Sequence, residues 1–488
     1  MIYISAQPDS KYFEWQLELQ FRNFESLGIN KNNIHVLIGY DVKKGLNPSF
    51  KKFIQENERF VRFFIYADTR VKPNYTSSIR PHILKQHFEA YEWLSKETIF
   101  YHDSDILFSR IPKIVENEMC YVSDTSDYLD FGYLESVASE ELIAKMLSVV
   151  GISKEVLLKR DKNTGGAQYV LNNIDAKFWQ KVEKDSEELY LLMKNYNEKL
   201  WQEHYEFQKE FRSKKRGIQA WCSDMWAVLW NLWYFEKDVE ISQEMDFSWP
   251  FSSIEEWDKK AIQHYSGNIK DEKLHFKKTN YLNYPPWYDD TINNIPESSC
   301  SFRIAELVRS RRKELDHQRK IHSDVLILLH SNNIENKNVS ELYSKFIKKH
   351  ISLIVNFKIG SGLFDNHWEK ISFEKQHTKY SKILVIPADC LIAIDVINLI
   401  LDENIEDNGL RIFEFSDSYK VDKLFVETFS KVLDFDLLKF NKGKMNIENS
   451  TIRDIKLFDH HNLKDINCIE TITGVRAKKI MSESFNLF

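Results

Sequence analysis

Proline and glycine are scarce in this 488-residue chain, at 10 and 14. That excludes collagen-like, low-complexity and loop-rich secreted folds, which need those residues to turn and extend their backbones. Cysteine is scarcer still. Cys120, Cys222, Cys300, Cys390 and Cys468 stand far apart and are odd in number. They offer neither a disulfide framework nor a zinc-ligand spacing, so a reducing compartment is the simpler expectation. Charge of one sign is lacking as well. A net charge of −6, from 67 basic and 73 acidic residues, leaves no basic field for nucleic acid. No apolar run is long enough to span a bilayer, so no transmembrane segment is expected. The chain opens MIYISAQ, a strand pattern without a basic leader, and the expected location is the cytoplasm. What the chain does have is length and aromatic bulk, enough to bury a large core and to fill two domains or more.

Residues 98–111 read TIFYHDSDILFSRI. Ile99, Phe100 and Tyr101 suffice for one short buried strand, and Pro112 stops the pattern that Ile106, Leu107 and Phe108 resume. Asp103 and Asp105 are two apart, so at strand spacing both carboxylates face one point at the strand's end. Two hard oxygen ligands there suit Mg²⁺ or Mn²⁺, ions that keep positions open for phosphate oxygens. In an α/β sheet, the ends of the strands are where ligands bind.

Taken in order, residues 2–6 read as a first strand. Asp9 or Ser10 is placed to cap a helix striped by Phe13, Leu17, Phe21 and Phe24, and Gly28 ends it. Residues 34–38 and 62–66 read as further strands, a βαβ opening that predicts a mixed sheet flanked by helices. Pro81 fits the first turn of a helix leading to the acidic strand, with Arg80 within reach of a diphosphate beside the aspartates. Strands follow at 119–123 and after Gly165-Gly166, a glycine pair that lets backbone approach a ligand closely. It lacks the Lys-Ser/Thr of a triphosphate-binding loop. Helical material is expected at 139–158 and 178–214. Asp224 lies among tryptophans on a helix at 221–235, and a carboxylate in such company needs a partner or a task. His264, on a short strand in AIQHYSG, is a candidate third metal ligand, and the aromatic 276–287 reads as a wrapping tail.

The expected domains are 1–298, a basic helical connector at 299–322 that carries Arg309, Arg311, Arg312 and Lys313, and a second α/β domain at 323–488. In the second domain, strands are expected at 325–329, 351–357, 382–386 and 410–415, helices at 340–349 and 392–401, and further pattern at 424–433. Pro387-Ala388-Asp389-Cys390 stands where the acidic motif stands in the first half but keeps a single aspartate. This half reads as a degenerate copy of the first, turned to acceptor binding or to homo-oligomerisation.

With these pieces placed, the first three hundred residues or so resemble a glycosyltransferase of the GT-A (Rossmann-like) fold. More narrowly, they are similar to the peptidyl-serine and hydroxyproline O-glycosyltransferases, the hydroxyproline O-arabinosyltransferase relatives. The resemblance is carried, in order, by Tyr12-x-x-Trp15-Gln16, by Tyr75-x-Ser77-x-x-Arg80-Pro81, and by the acidic motif with Ile111-Pro112. Gly165-Gly166, the helix at 221–227 and His264-Tyr265 complete it. It implies a nucleotide-sugar donor, UDP-linked, and a hydroxyl of a glycan or peptide as acceptor. Asp103, Asp105 and His264 would hold Mn²⁺ (or Mg²⁺) on the donor diphosphate. Gln7, Arg80 and Ser104 would lie at the donor, and Gly165, Gly166 and Gln168 along the sugar. Asp224 would be the catalytic carboxylate, activating the acceptor hydroxyl or holding the donor sugar. Two other readings stand beside it: a sugar-phosphate nucleotidyltransferase, which also uses paired aspartates, and a catalytically dead sugar- or peptide-binding module.

Overall fold

The structure, a computed structural model, describes residues 1–317 except 116, 209–216 and 283–284, together with six strands beyond them. The chain divides into two compact units, Met1–Leu282 with Asn294–Glu306, and Asn283–Asn293 with Leu307–Phe488.

In the first unit the strands are β1 (Ile2–Pro8), β2 (Ile34–Asp41), β3 (Arg62–Asp68), β4 (Ile99–Tyr101), β5 (Ile106–Phe108), β6 (Cys120–Asp124), β7 (Gly165–Leu171), β8 (Val239–Ile241), β9 (Phe247–Ser248) and β10 (Ile262–His264). Its main helices are α1 (Lys11–Ser26), α2 (Pro48–Asn57), α3 (Ile79–Ala90), α4 (Phe131–Val137), α5 (Glu140–Val150), α6 (Lys154–Arg160), α7 (Ala176–Gln208) and α8 (Ser223–Tyr234). Seven strands form a mixed sheet in the order β3-β2-β1-β4-β7-β6-β8, and β5-β10-β9 form a small second sheet. The α/β class with a mixed sheet flanked by helices, expected from the opening βαβ pattern, is the fold observed.

Alternation along the strands loads both faces of the sheet. Phe100 turns towards Phe21, Phe24 and Phe108 of α1 and β5. Its neighbours Ile99 and Tyr101 turn towards Ile83, Trp179, Trp226 and Trp230 of α3, α7 and α8. The layers are therefore helix, sheet, helix, each face closed by aromatic side chains. Gly28 ends α1 at φ 75°, a left-handed conformation that glycine adopts without strain. The expected side-chain cap at the start of α1 does not form. Ser10 is the cap residue but makes no cap bond, and Asp9 instead accepts the backbone N–H of Asn47 at 2.7 Å. A long-range partner has outcompeted the local one.

In the second unit the described strands are β11 (Val325–Ser331), β12 (Asn356–Ser361), β13 (Lys382–Pro387), β14 (Gly409–Phe415), β15 (Arg453–Asp459) and β16 (Cys468–Ile472), ordered β12-β11-β13-β15-β14-β16. Neighbours along this order pair parallel, parallel, antiparallel, antiparallel, parallel. Without its edge strand β3, the first sheet reads β2-β1-β4-β7-β6-β8, and its pairings run in the same sequence of senses. The described strands of the second unit thus repeat the order and senses of six strands of the first sheet. The expected strand at 351–357 overlaps β12 by its last two residues only. The helices expected at 340–349 and 392–401, the pattern at 424–433 and residues 388–390 lie outside the described residues.

Candidate active site

The site forms where β4 reaches its carboxyl end, opposite Ile4 of its parallel neighbour β1. His102 extends the ladder by donating its N–H to Ile4 O at 3.0 Å, and the chain then leaves the sheet at Asp103. A polar row on α1 holds this exit. Gln20 Nε2 donates to Asp103 O at 3.0 Å, and Ser104 Oγ donates to Gln16 Oε1 at 3.3 Å. Asn23 both donates to Phe108 O (2.9 Å) and accepts from Phe108 N–H (2.7 Å). From β7, Gln168 Oε1 accepts the Asp103 N–H at 3.0 Å. The acidic turn is therefore clamped through its backbone, which leaves its carboxylates for other work. Gln16, Gln20 and Asn23 recur at helical spacing beside the apolar stripe of α1. Buried amides in that pattern are the sequence signal that marks this clamp.

His264 arrives by strand pairing. β10 runs antiparallel to β5 with His264 opposite Ile106, and Tyr265 N–H donates to Asp105 O at 3.1 Å. The imidazole Nε2 lies 3.3 Å from Asp105 Oδ2 and 3.6 Å from Asp103 Oδ2. The ring stacks on Trp249 at 5.8 Å between centroids and meets Phe247 edge-on at 5.2 Å. One ligand atom from each of Asp103, Asp105 and His264 falls within 4.8 Å of the others. Two carboxylate oxygens and an imidazole nitrogen are a donor set that suits Mn²⁺ or Mg²⁺.

Two cations flank the pair. Arg80, in the first turn of α3, lies 2.5 Å from Asp103 Oδ1 and 3.5 Å from Asp224 Oδ2, its guanidinium 5.3 Å from the Tyr101 ring centre. Lys278 bonds Asp105 Oδ2, the oxygen that also faces His264. Burial would lift the Asp105 carboxyl, but Lys278 and His264 together hold it well below the usual carboxylate range. Lys278 comes from a 3₁₀ turn, Lys278–Tyr281, in the tail expected only to wrap. Neither its distance in sequence nor its lysine-rich surroundings single it out.

Asp224 sits in the first turn of α8, where the helix N-terminus favours a carboxylate. The Tyr75 hydroxyl lies 2.7 Å from Asp224 Oδ1, with the Trp221 carbonyl a competing acceptor at 2.6 Å. Burial raises the Asp224 carboxyl, Arg80 and Tyr75 pull it back, and Asp103 adds to the rise. Asp103, Arg80, Asp224 and Tyr75 thus form one connected network.

The other expected site residues are placed as follows. Gln7 is buried and donates to Leu37 O of β2 at 2.9 Å. Gly165 and Gly166 lie within β7, beside the irregularity between Val122 and Ser123 of β6. A Cβ on Gly165 would clash with Ser123 O. The close approach that demands glycine there is that of the neighbouring strand. Ala167 follows at φ 68°, and Gln168 comes next with its Nε2 buried and unpartnered among the described residues.

The sequence matches no protein-family model and no curated protein. Among solved structures it is similar to the apo form of WbbM, a bifunctional glycosyltransferase, at 12% identity and a TM-score of 0.32 over 63% of this chain. It spans 51% of that chain, about half its length. It is also similar to an active-site mutant of LgtC, at 13% identity and a TM-score of 0.32 over 64% of this chain and 96% of that one. A third is the apo glycosyltransferase GlyE of Streptococcus pneumoniae, at 11% identity and a TM-score of 0.30 over 73% of this chain and 74% of that one. Among the described residues, no helix is long and apolar enough to cross a membrane.

Proposed function

We propose that the first unit is a metal-dependent glycosyltransferase of GT-A type, which moves a sugar from a nucleotide-sugar donor, UDP-linked, to a hydroxyl of a glycan or peptide. The observation that carries this reading is the convergence of Asp103, Asp105 and His264 at the carboxyl end of β4. Neither the nucleotidyltransferase nor the dead-module reading is favoured by any side chain placed there. Ala6-Gln7-Pro8-Asp9, at the end of β1, has none of the glycines that a triphosphate loop uses.

Asp103, Asp105 and His264 would hold the Mn²⁺ or Mg²⁺. When bound, such an ion offsets the negative charge that grows on the departing diphosphate. The α1 amides and Gln168 keep the acidic turn rigid, so the carboxylates need no reorganisation as that charge develops. Arg80, which stands between Asp103 and Asp224, would offer its positive charge to the diphosphate. Asp224 is assigned to the attacking hydroxyl, as the carboxylate that accepts its proton. Burial raises its carboxyl above the ordinary value, which moves it towards the range where a general base works well. Ser104 and Gln7 support the donor side, and Gly165, Gly166 and Gln168 the sugar side. The narrower likeness to peptidyl O-glycosyltransferases makes a peptide hydroxyl the first acceptor to try.

Calorimetry with UDP, with and without Mn²⁺, tests the reading. The expected result is UDP binding that depends on the metal and is lost in Asp105→Asn. Preference for a triphosphate would instead favour the nucleotidyltransferase, and no nucleotide binding the dead module. A screen of nucleotide sugars for Mn²⁺-stimulated hydrolysis then identifies the donor.

A further inference from the structure

Lys278 engages the very oxygen, Asp105 Oδ2, that faces His264 Nε2 across 3.3 Å. Its ammonium is part-buried beside the Tyr12 hydroxyl, and Asp103 contributes to its field. The turn that delivers it is anchored rather than loose. Trp15 Nε1 of α1 donates to Tyr281 O at 3.0 Å, and Phe276 stacks on Tyr281 at 5.4 Å. Phe276 N–H also donates to Ser301 Oγ at 2.8 Å. The lysine is thus held over the acids by packing on both sides of it.

A divalent ion at ligating distance from Asp105 Oδ2 would compete with the ammonium for the same lone pairs and would be repelled by it at close range. We propose that Lys278 is a tethered counter-ion for the metal site. A divalent cation must displace it, and the freed ammonium then pairs with the phosphates that arrive with the nucleotide. This rests on the metal-dependent reading above and adds a regulation of that site: the free protein binds the metal weakly, and metal and nucleoside diphosphate bind cooperatively. By linkage, each then strengthens the other by the same factor.

The test is titration of Mn²⁺, followed by its electron paramagnetic resonance signal, into the full chain with and without UDP. Wild type, Lys278→Met, Lys278→Arg and Asp105→Asn are compared, with circular dichroism as the check on folding. Lys278→Met is expected to bind Mn²⁺ alone about tenfold more tightly than wild type, and to lose about tenfold of the enhancement that UDP gives. Lys278→Arg, which keeps the charge, is expected to stay close to wild type. Equal or weaker Mn²⁺ binding by Lys278→Met overturns the proposal. So does Lys278→Arg behaving like Lys278→Met, which would make packing rather than charge the cause. If Asp105→Asn binds Mn²⁺ as wild type does, the metal reading itself fails. If Asp105→Asn loses the ion while Lys278→Met matches wild type, only the role of Lys278 fails.

Discussion

Arg80→Met is the sharpest test of how the site is held together. The guanidinium stands between Asp103 and Asp224, at 2.5 and 3.5 Å, with all three side chains between 13% and 22% exposed. Methionine keeps most of the stem's packing against Tyr101 and removes the charge. Breaking a buried ion pair costs about 3–5 kcal/mol, because the partner is left uncompensated. The residual exposure of these groups brings that to roughly 3 kcal/mol at neutral pH. The penalty carries a pH signature. The folded Asp224 carboxyl already lies above its unfolded value of 3.8, raised by burial and pulled back chiefly by Arg80. A carboxyl raised in this way holds its proton more tightly when folded, so it costs stability as pH climbs from the unfolded value through the folded one. Without Arg80 the folded value rises further, and each unit of rise adds about 1.4 kcal/mol to the cost at neutral pH. The loss should therefore be smaller near pH 4 than near pH 7.5. Thermal melting in a chelator, followed by tryptophan fluorescence, reads this out, since Trp15, Trp179, Trp226 and Trp230 are in the core of the first unit. At about 2 °C per kcal/mol, a drop of about 6 °C is expected at pH 7.5. Arg80→Met/Asp224→Asn should recover part of it. A drop that is the same at every pH, or a double variant no better than the single one, would refute the reasoning.

Asp105→Asn should lower Mn²⁺-stimulated donor hydrolysis by at least about a hundredfold, measured by released UDP; turnover at the wild-type rate would remove Asp105 from the site. Asp224→Asn should leave Mn²⁺-dependent UDP binding within about twofold while transfer to an acceptor falls by about 10²–10⁴, the usual contribution of a general base. Calorimetry paired with a transfer assay separates the two effects. Gly165→Ala forces a methyl group against Ser123 O, and overpacking of this kind costs about 1–3 kcal/mol or more. A melting temperature within a degree of wild type would show that β6 and β7 yield there. Asn23→Ala strips both bonds from the Phe108 backbone and should cost about 2 kcal/mol in stability, again read by melting.

The centre of this protein was legible because its signals are local. A short apolar run and two acids two apart mark β4 and the acidic end of that strand, while β5, which pairs with β10 in another sheet, does not stand out as a strand of its own. The stripe of α1 and its glycine stop were equally plain. What escaped depends on partners far along the chain. Asp9 reads as a helix cap until Asn47 takes its carboxylate. Lys278 meets Asp105 across 173 residues, and one lysine in a lysine-rich tail looks like any other. Gly165 and Gly166 read as a turn near a ligand because glycine marks a close approach without naming what approaches. In the second unit, Arg453–Asp459 mixes four charged residues with three apolar ones and reads as surface until β13 and β14 pair with it from both sides.

Two sheets that share one order and one set of senses over six strands on a single polypeptide give each of those strands a second address. During refolding, β11 can offer itself to β2 or β4 in the place of β1, and an exchange between two chains can close the same way. What guards the correct addresses is divergence of the letters: ISAQP at the end of β1 against ILLHS at the end of β11 leaves few shared cross-strand partners. Substitutions that made the two halves more alike would therefore be expected to lower refolding yield at high protein concentration, even if each half alone became more stable.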